Sequence, residues 1–157
     1  MDLESILTPG SVRLDFLAAD KERTLAAVGG FAAGLLGLDP ARVLSSLRSR
    51  ESLGSTALGG GIMVPHGKLE GLEGIRLFLF KTAPGWTLDF DSPDGLPVRL
   101  IALILAPLEP APGYLRLLTI LGRFWESAQN VDALMRCPDE ESFRRTFIRL
   151  AGSAAAP

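Results

Sequence analysis

The sequence holds one cysteine and one histidine in 157 residues. The single thiol, Cys137, closes no internal disulfide, and with only His66 to join it no Cys/His zinc site can be assembled. Neither sign of charge dominates: 16 Lys and Arg stand against 18 Asp and Glu, a formal net charge of −2. The basic surplus that a nucleic-acid partner normally requires is therefore missing. Long apolar runs are missing too. The longest, Leu100 to Leu108, falls short of the ~18 residues of a spanning helix and is broken by Pro107. Met1-Asp2-Leu3-Glu4-Ser5 is acidic and lacks the basic and apolar regions of a signal peptide. Together these absences predict a cytoplasmic protein with no metal, no cofactor, no nucleic-acid partner and no membrane insertion.

What is present is the composition of a globular domain, 47% hydrophobic and 22% charged, in a chain long enough for one core. Val12, Leu14 and Phe16 alternate with Arg13 and Asp15, the period of a half-buried strand. Asp20 reads as the cap of a helix whose apolar face is Leu25, Val28, Phe31, Ala32 and Leu35, stopped at Gly37. Asp39-Pro40 opens a second helix that runs out near Arg50. Ile62–Val64 reads as a short buried strand. The runs Ile75–Phe80 and Val98–Leu105 are almost wholly apolar, as in central strands covered on both faces. Asp91-Ser92-Pro93-Asp94-Gly95 is turn chemistry. Tyr114, Leu117, Leu118, Leu121 and Trp125 share a helical spacing, Asn130 is the expected cap of a short helix through Met135, and Pro138 opens the last helix. Helices alternate with buried strands. The class is α/β: a single domain with one mixed, mostly parallel β-sheet flanked by helices on both faces, over residues 1–151, with 152–157 a flexible tail.

Ligand sites in such sheets lie off strand ends, and one segment there carries chemistry. In Gly59-Gly60-Gly61-Ile62-Met63-Val64-Pro65-His66-Gly67, Pro65 stiffens the approach to the imidazole and Gly67 permits a turn after it. The expectation is a rigidly presented imidazole at a strand end, in a loop open to a partner. Upstream, Arg50, Ser52, Ser55, Thr56 and the glycines through Gly61 supply a fixed cation, hydroxyls and bare backbone N–H groups. Those parts suit a phosphoryl group on a histidine: Arg50 offers fork-shaped donors, glycine N–H groups add more, and Thr56 or a backbone carbonyl fixes the other ring nitrogen. Against this, a histidine beside Pro and Gly is commonly a turn residue, and an arginine at a helix end commonly a partner of the dipole. A Ser/His hydrolase built on Ser52 or Ser55 lacks any G-x-S-x-G elbow, and no P-loop pattern is present.

Arg50-Glu-Ser-Leu-Gly-Ser-Thr56, followed by Gly59-x-Gly-Ile-x-Val-Pro-His66-Gly-Lys68, resembles the enzyme IIA domains of the bacterial phosphotransferase system, of the fructose/mannitol and nitrogen-regulatory type. The likeness extends from Leu3 to Leu150 through Phe90-Asp91, Pro97–Pro107 and the helix from Tyr114. It implies a phosphoryl carrier, an intermediate rather than a free-standing turnover enzyme. His66 would take the group from an HPr-type phosphocarrier protein, Arg50 would stabilise it, and Ser55 and Thr56 would help build the pocket. The recipient would be a regulatory protein target or an enzyme IIB. The length, with no attached IIB or IIC domain, favours the nitrogen-regulatory form over a sugar-transporter component. Two departures stand out. Arg116 aligns with the second histidine that many relatives carry facing the first, and Met63 stands where they have a small residue. These keep open a binding module on the same fold that has lost efficient transfer.

Overall fold

A computed structural model describes residues 1–86 and 90–155. In chain order the elements are α1 (Leu3–Ile6), β1 (Val12–Phe16), α2 (Lys21–Leu36), α3 (Pro40–Glu51), β2 (Ala57–Gly59), β3 (Ile62–Met63), β4 (His66–Leu69), β5 (Arg76–Thr82), β6 (Leu100–Pro107), α4 (Tyr114–Glu126), α5 (Ala128–Met135) and α6 (Glu140–Ala154). The sheet order is β1-β5-β6-β3-β2, with β4 also on β6, and among the described residues three of the five pairings are parallel. The fold is the expected α/β domain, its mixed sheet covered on both faces.

The apolar runs explain why. Along β6, Leu100, Ala102, Ile104 and Ala106 enter one core, while Ile101, Leu103 and Leu105 enter the other. On β5 the same alternation sends Leu77 and Leu79 to the first and Phe78 and Phe80 to the second. The first core is closed by α4, α5 and α6 through Leu117, Leu121, Phe124, Leu134, Phe143 and Phe147. The second is closed by α2 and α3 through Leu25, Val28, Ala32, Val43 and Leu47. A strand buried on both sides has no polar alternate residues to show, which is why its sequence reads as one continuous run.

The caps follow the sequence with two corrections. Asp20 and Asp39 cap α2 and α3 through their side chains, whereas α6 begins at Glu140 with Asp139 as its cap, so Pro138 precedes the cap instead of opening the helix. The cap of α5, however, is Ser127, whose hydroxyl accepts from the Asn130 N–H; Asn130 lies inside the first turn and its amide donates to the Phe124 carbonyl. The stretch from residue 152, expected to be a tail, begins as helix. Helix α6 continues through Ala154, because buried Ala151 anchors its last turn and the alanines beyond favour helix; Ala156 and Pro157, also assigned to that tail, lie outside the described residues.

Candidate functional site

Strands β3 and β4 lie on the same edge of β6 in one register. Ile62 and Met63 pair with Leu100 and Ile101, and His66 to Leu69 pair with Ile104 to Pro107, so every partner lies at the same offset. The segment is thus one extended line along the central strand, interrupted at Val64-Pro65, where Pro65 has no N–H to give but its carbonyl still accepts from the Ile104 N–H at 3.0 Å. His66 stands at a strand end, as expected, but as the first residue of β4 and not in a loop. Pro65 and the extended bias it imposes on Val64 prolong the strand geometry instead of ending it. Period-two alternation then decides direction. Ile62 and Val64 enter the α4 side, and His66 and Lys68 follow them; Met63 and Leu69 enter the α3 side.

On the α4 side, Arg50, Ser55, Thr56, Leu58, Val64, His66, Leu118, Leu121, Gly122 and Trp125 enclose a cavity of about 260 Å³. Arg50, in the last turn of α3, donates from Nε to His66 Nε2 at 3.1 Å and from Nη1 to the Gly54 carbonyl at 3.0 Å. Since a guanidinium only donates, Nε2 must be the ring acceptor, and the ring proton sits on Nδ1. Nδ1 lies 3.0 Å from the Val64 carbonyl and donates to it. Of the two means the sequence offered for fixing the tautomer, a hydroxyl or a carbonyl, the fold uses the carbonyl. The half-buried imidazole presents a lone pair on Nε2 with a fixed cation beside it.

Four of the residues singled out from sequence meet here: His66, Arg50, Ser55 and Thr56. The others are elsewhere. Gly59, Gly60 and Gly61 all take positive φ and turn the chain from β2 into β3. The Gly60 N–H donates to Asp94 at 2.7 Å, and a Cβ on Gly61 would stand 3.1 Å from Arg99 Nε, so these glycines build a hairpin and offer no donors to the cavity. Gly67 makes no turn either. It lies in β4 on the α3 side, where a Cβ would come within 2.4 Å of Ser46 Oγ; its missing side chain lets helix α3 close on the strand. Arg116 is exposed and lines a separate groove with Lys68, Arg76, Glu109 and Tyr114, because a step of two residues from Leu118 turns it away from the face that carries Leu118 and Leu121.

Sequence reasoning missed three contributors. Glu51 is nearly buried and accepts from both the N–H and the hydroxyl of Thr56. The wall of α4 was read only as core, yet Leu118, Leu121 and Trp125 face the imidazole, and the Trp125 Nε1–H is buried without an acceptor among the described residues. Tyr114 is the third: burial pushes its hydroxyl pKa up, and the nearby Arg50 charge opposes that rise. Its ring also carries Lys68 Nζ at 5.9 Å. The sequence signal for the α4 residues was the helical spacing of Tyr114, Leu118, Leu121 and Trp125, which does not tell a cavity wall from a core stripe, and Glu51 stood inside the Arg50–Thr56 motif without a role of its own. Among the described residues no three His, Cys, Asp or Glu side chains are grouped to hold a metal, and no helix is long and apolar enough to cross a membrane.

A lone imidazole on a strand register, fixed in one tautomer and paired with an arginine, occurs here on a chain that belongs to the enzyme IIA type 2 family of the phosphoenolpyruvate-dependent sugar phosphotransferase system; the family model matches residues 5–149. Among its relatives in that family are nitrogen regulatory proteins. It is 36% identical over 157 residues to a nitrogen regulatory protein of Bradyrhizobium diazoefficiens, covering 99% of this chain and 100% of that one. A nitrogen regulatory protein of Pseudomonas aeruginosa is 34% identical over 148 residues, 93% of this chain and 94% of the other. The crystal structure of nitrogen regulatory protein IIA-Ntr from Neisseria meningitidis superposes with a TM-score of 0.79 at 31% identity, covering 92% of this chain and 97% of that one.

Proposed function

We propose that this chain is a phosphoryl carrier that accepts a phosphoryl group on Nε2 of His66 from an HPr-type phosphocarrier protein. As a nitrogen-regulatory IIA protein it then acts through phosphorylation-dependent binding of a regulatory protein target. The observation that carries the reading is the pair of ring contacts: the Val64 carbonyl accepts from the Nδ1–H, leaving a lone pair on Nε2 next to Arg50. In the transfer step the Nε2 lone pair forms the new N–P bond as the donor's N–P bond breaks, its electron pair returning to the donor's ring nitrogen. The proton stays on Nδ1, hydrogen-bonded to the Val64 carbonyl. The Arg50 Nε–H, displaced from the ring nitrogen, donates instead to a phosphoryl oxygen, a stronger charge-assisted bond. The new charge then sits in a cavity walled by Leu58, Leu118, Leu121 and Trp125, where it creates some protein contacts and repels others.

The resemblance to nitrogen regulatory proteins over nearly the whole chain favours this form over the IIA component of a fructose/mannitol-type transporter, which would hand the group to a cysteine of an enzyme IIB. The test is transfer of labelled phosphoryl from the organism's phosphorylated HPr-type proteins. The expected product is an acid-labile phosphoramidate that His66→Ala abolishes. Absence of label from every cognate donor would sink the reading and leave the binding module.

A further inference from the structure

Glu51 follows Arg50 and ends helix α3. Its side chain is 6% exposed, a place where a carboxylate is costly unless it is fully partnered. The partners are specific. Oε1 accepts from the Thr56 N–H at 3.1 Å and Oε2 from the Thr56 hydroxyl at 2.7 Å. Lys21 Nζ, from the first residue of α2, lies 3.0 Å from Oε1 and 3.8 Å from Asp91 Oδ2. One carboxylate thereby joins the two ends of the turn from Glu51 to Thr56 and ties that turn to a neighbouring helix. Inside the turn is Gly54, whose carbonyl holds Arg50 Nη1. The guanidinium is consequently suspended between the clamped turn on one side and His66 Nε2 on the other.

We infer that Glu51 is a positioning residue for phosphoryl transfer: by clamping Thr56 and Lys21 it fixes the turn that aims Arg50 at Nε2 of His66. The inference rests on His66 being the acceptor. Glu51 touches neither the imidazole nor an incoming phosphoryl group by any contact in the structure, so its whole effect passes through Arg50. An unclamped turn would let the Gly54 carbonyl move and the guanidinium swing away, leaving Nε2 free to exchange its role with Nδ1.

Two readouts test this, one of them independent of any phosphoryl donor. In ¹⁵N-labelled wild type, NMR should show a single His66 tautomer with the proton on Nδ1 and a protected Arg50 Nε–H. Glu51→Ala should mix the tautomers and speed exchange of the Arg50 Nε–H about tenfold or more, the loss of charge-assisted bonds being the cause. Glu51→Gln, which keeps one acceptor oxygen, should restore part of the wild-type pattern. In the transfer assay Glu51→Ala should lower kcat/KM about tenfold with most of the loss in kcat, and should cost nothing further in an Arg50→Ala background. Additive losses in the double variant, or an unchanged tautomer and Arg50 exchange in Glu51→Ala, would overturn the inference. Unfolding curves check the fold; if Glu51→Ala does not fold, Thr56→Val, which removes one clamp bond and keeps the other, takes the same readouts. Wild-type protein that accepts no label would overturn the acceptor role of His66, while the NMR arm still decides the role of Glu51.

Discussion

The Nε of Arg50 and the Nε2 of His66 are 3.1 Å apart, and that one contact fixes the state of the site. It requires the imidazole to accept at Nε2, which puts the proton on Nδ1 and against the Val64 carbonyl. The two residues come from the end of a helix and the start of a strand, 16 positions apart, and are brought together because α3 packs directly on β4. That packing depends in turn on Gly67, the residue after the histidine. The same short segment therefore supplies the imidazole and the gap that lets its cation approach.

Replacing Arg50 with Lys is expected to slow phosphorylation of His66 by about tenfold to a hundredfold, the rate equivalent of one or two charge-assisted hydrogen bonds. A lysine ammonium has no planar fork and cannot serve the Gly54 carbonyl and the ring nitrogen from fixed positions. Arg50→Ala should be slower still. Rapid-quench transfer assays give the rates; a loss of less than twofold in Arg50→Lys would mean that the cation acts only as a point charge.

Much of this site was legible in the chain, and the reasons for the rest are physical. Strands β5 and β6 announce themselves because burial on both faces leaves them continuously apolar, and Asp20 and Asp39 announce helices because a side-chain cap is a local event. His66 and Arg50 were found through their chemistry. The role of Gly67 was not, because a glycine that admits a packed helix reads the same as one that makes a turn. Arg116 was misplaced for a similar reason: a sequence offset of two residues along α4 changes the face entirely, and only the fold says which face looks at the imidazole.

Gly67→Ala is expected to destabilise the protein by about 1–3 kcal/mol, the usual cost of overpacking. The added Cβ would meet Ser46 Oγ at 2.4 Å and Ser46 Cβ at 3.1 Å, so α3 or the strand must yield. Denaturant unfolding measures the loss, and Ser46→Gly in the same chain should recover most of it. Full stability in Gly67→Ala alone would show that the helix can give way freely, and phosphotransfer should then fall as Arg50 is carried off.

Acid stability has a contributor far from the site. The Asp139 carboxylate accepts from the Ser142 N–H at 2.7 Å, and that bond, followed by the Ser142 hydroxyl interaction, holds its pKa below the ordinary 3.8. A carboxylate with a depressed folded-state pKa adds stability above its unfolded value and loses it as pH falls through the folded value. Wild type should therefore exceed Asp139→Asn in stability at neutral pH, with the gap closing as pH drops to 3.8 and below. Urea midpoints measured from neutral to strongly acid pH check this. A gap constant over that range would show that the charge of the cap is irrelevant.

Arg116 provides the sharpest contrast with expectations drawn from resemblance. If the position facing the imidazole on α4 governed transfer and Arg116 filled it, Arg116→Ala would cripple the protein. The fold places Arg116 exposed in another groove, which Tyr114 also lines, two residues from Leu118 and turned away from its face. Arg116→Ala should accordingly leave the intrinsic rate of His66 phosphorylation within about twofold at saturating donor, as expected of an exposed side chain without a partner in the reaction. Leu118→Asp, which puts a carboxylate into the cavity wall beside the incoming phosphoryl group, should slow the same step by about tenfold or more through like-charge repulsion. Measuring both at several salt concentrations separates the two effects. An Arg116 contribution confined to donor docking would appear in KM and fade with salt, whereas the Leu118→Asp loss would persist in kcat.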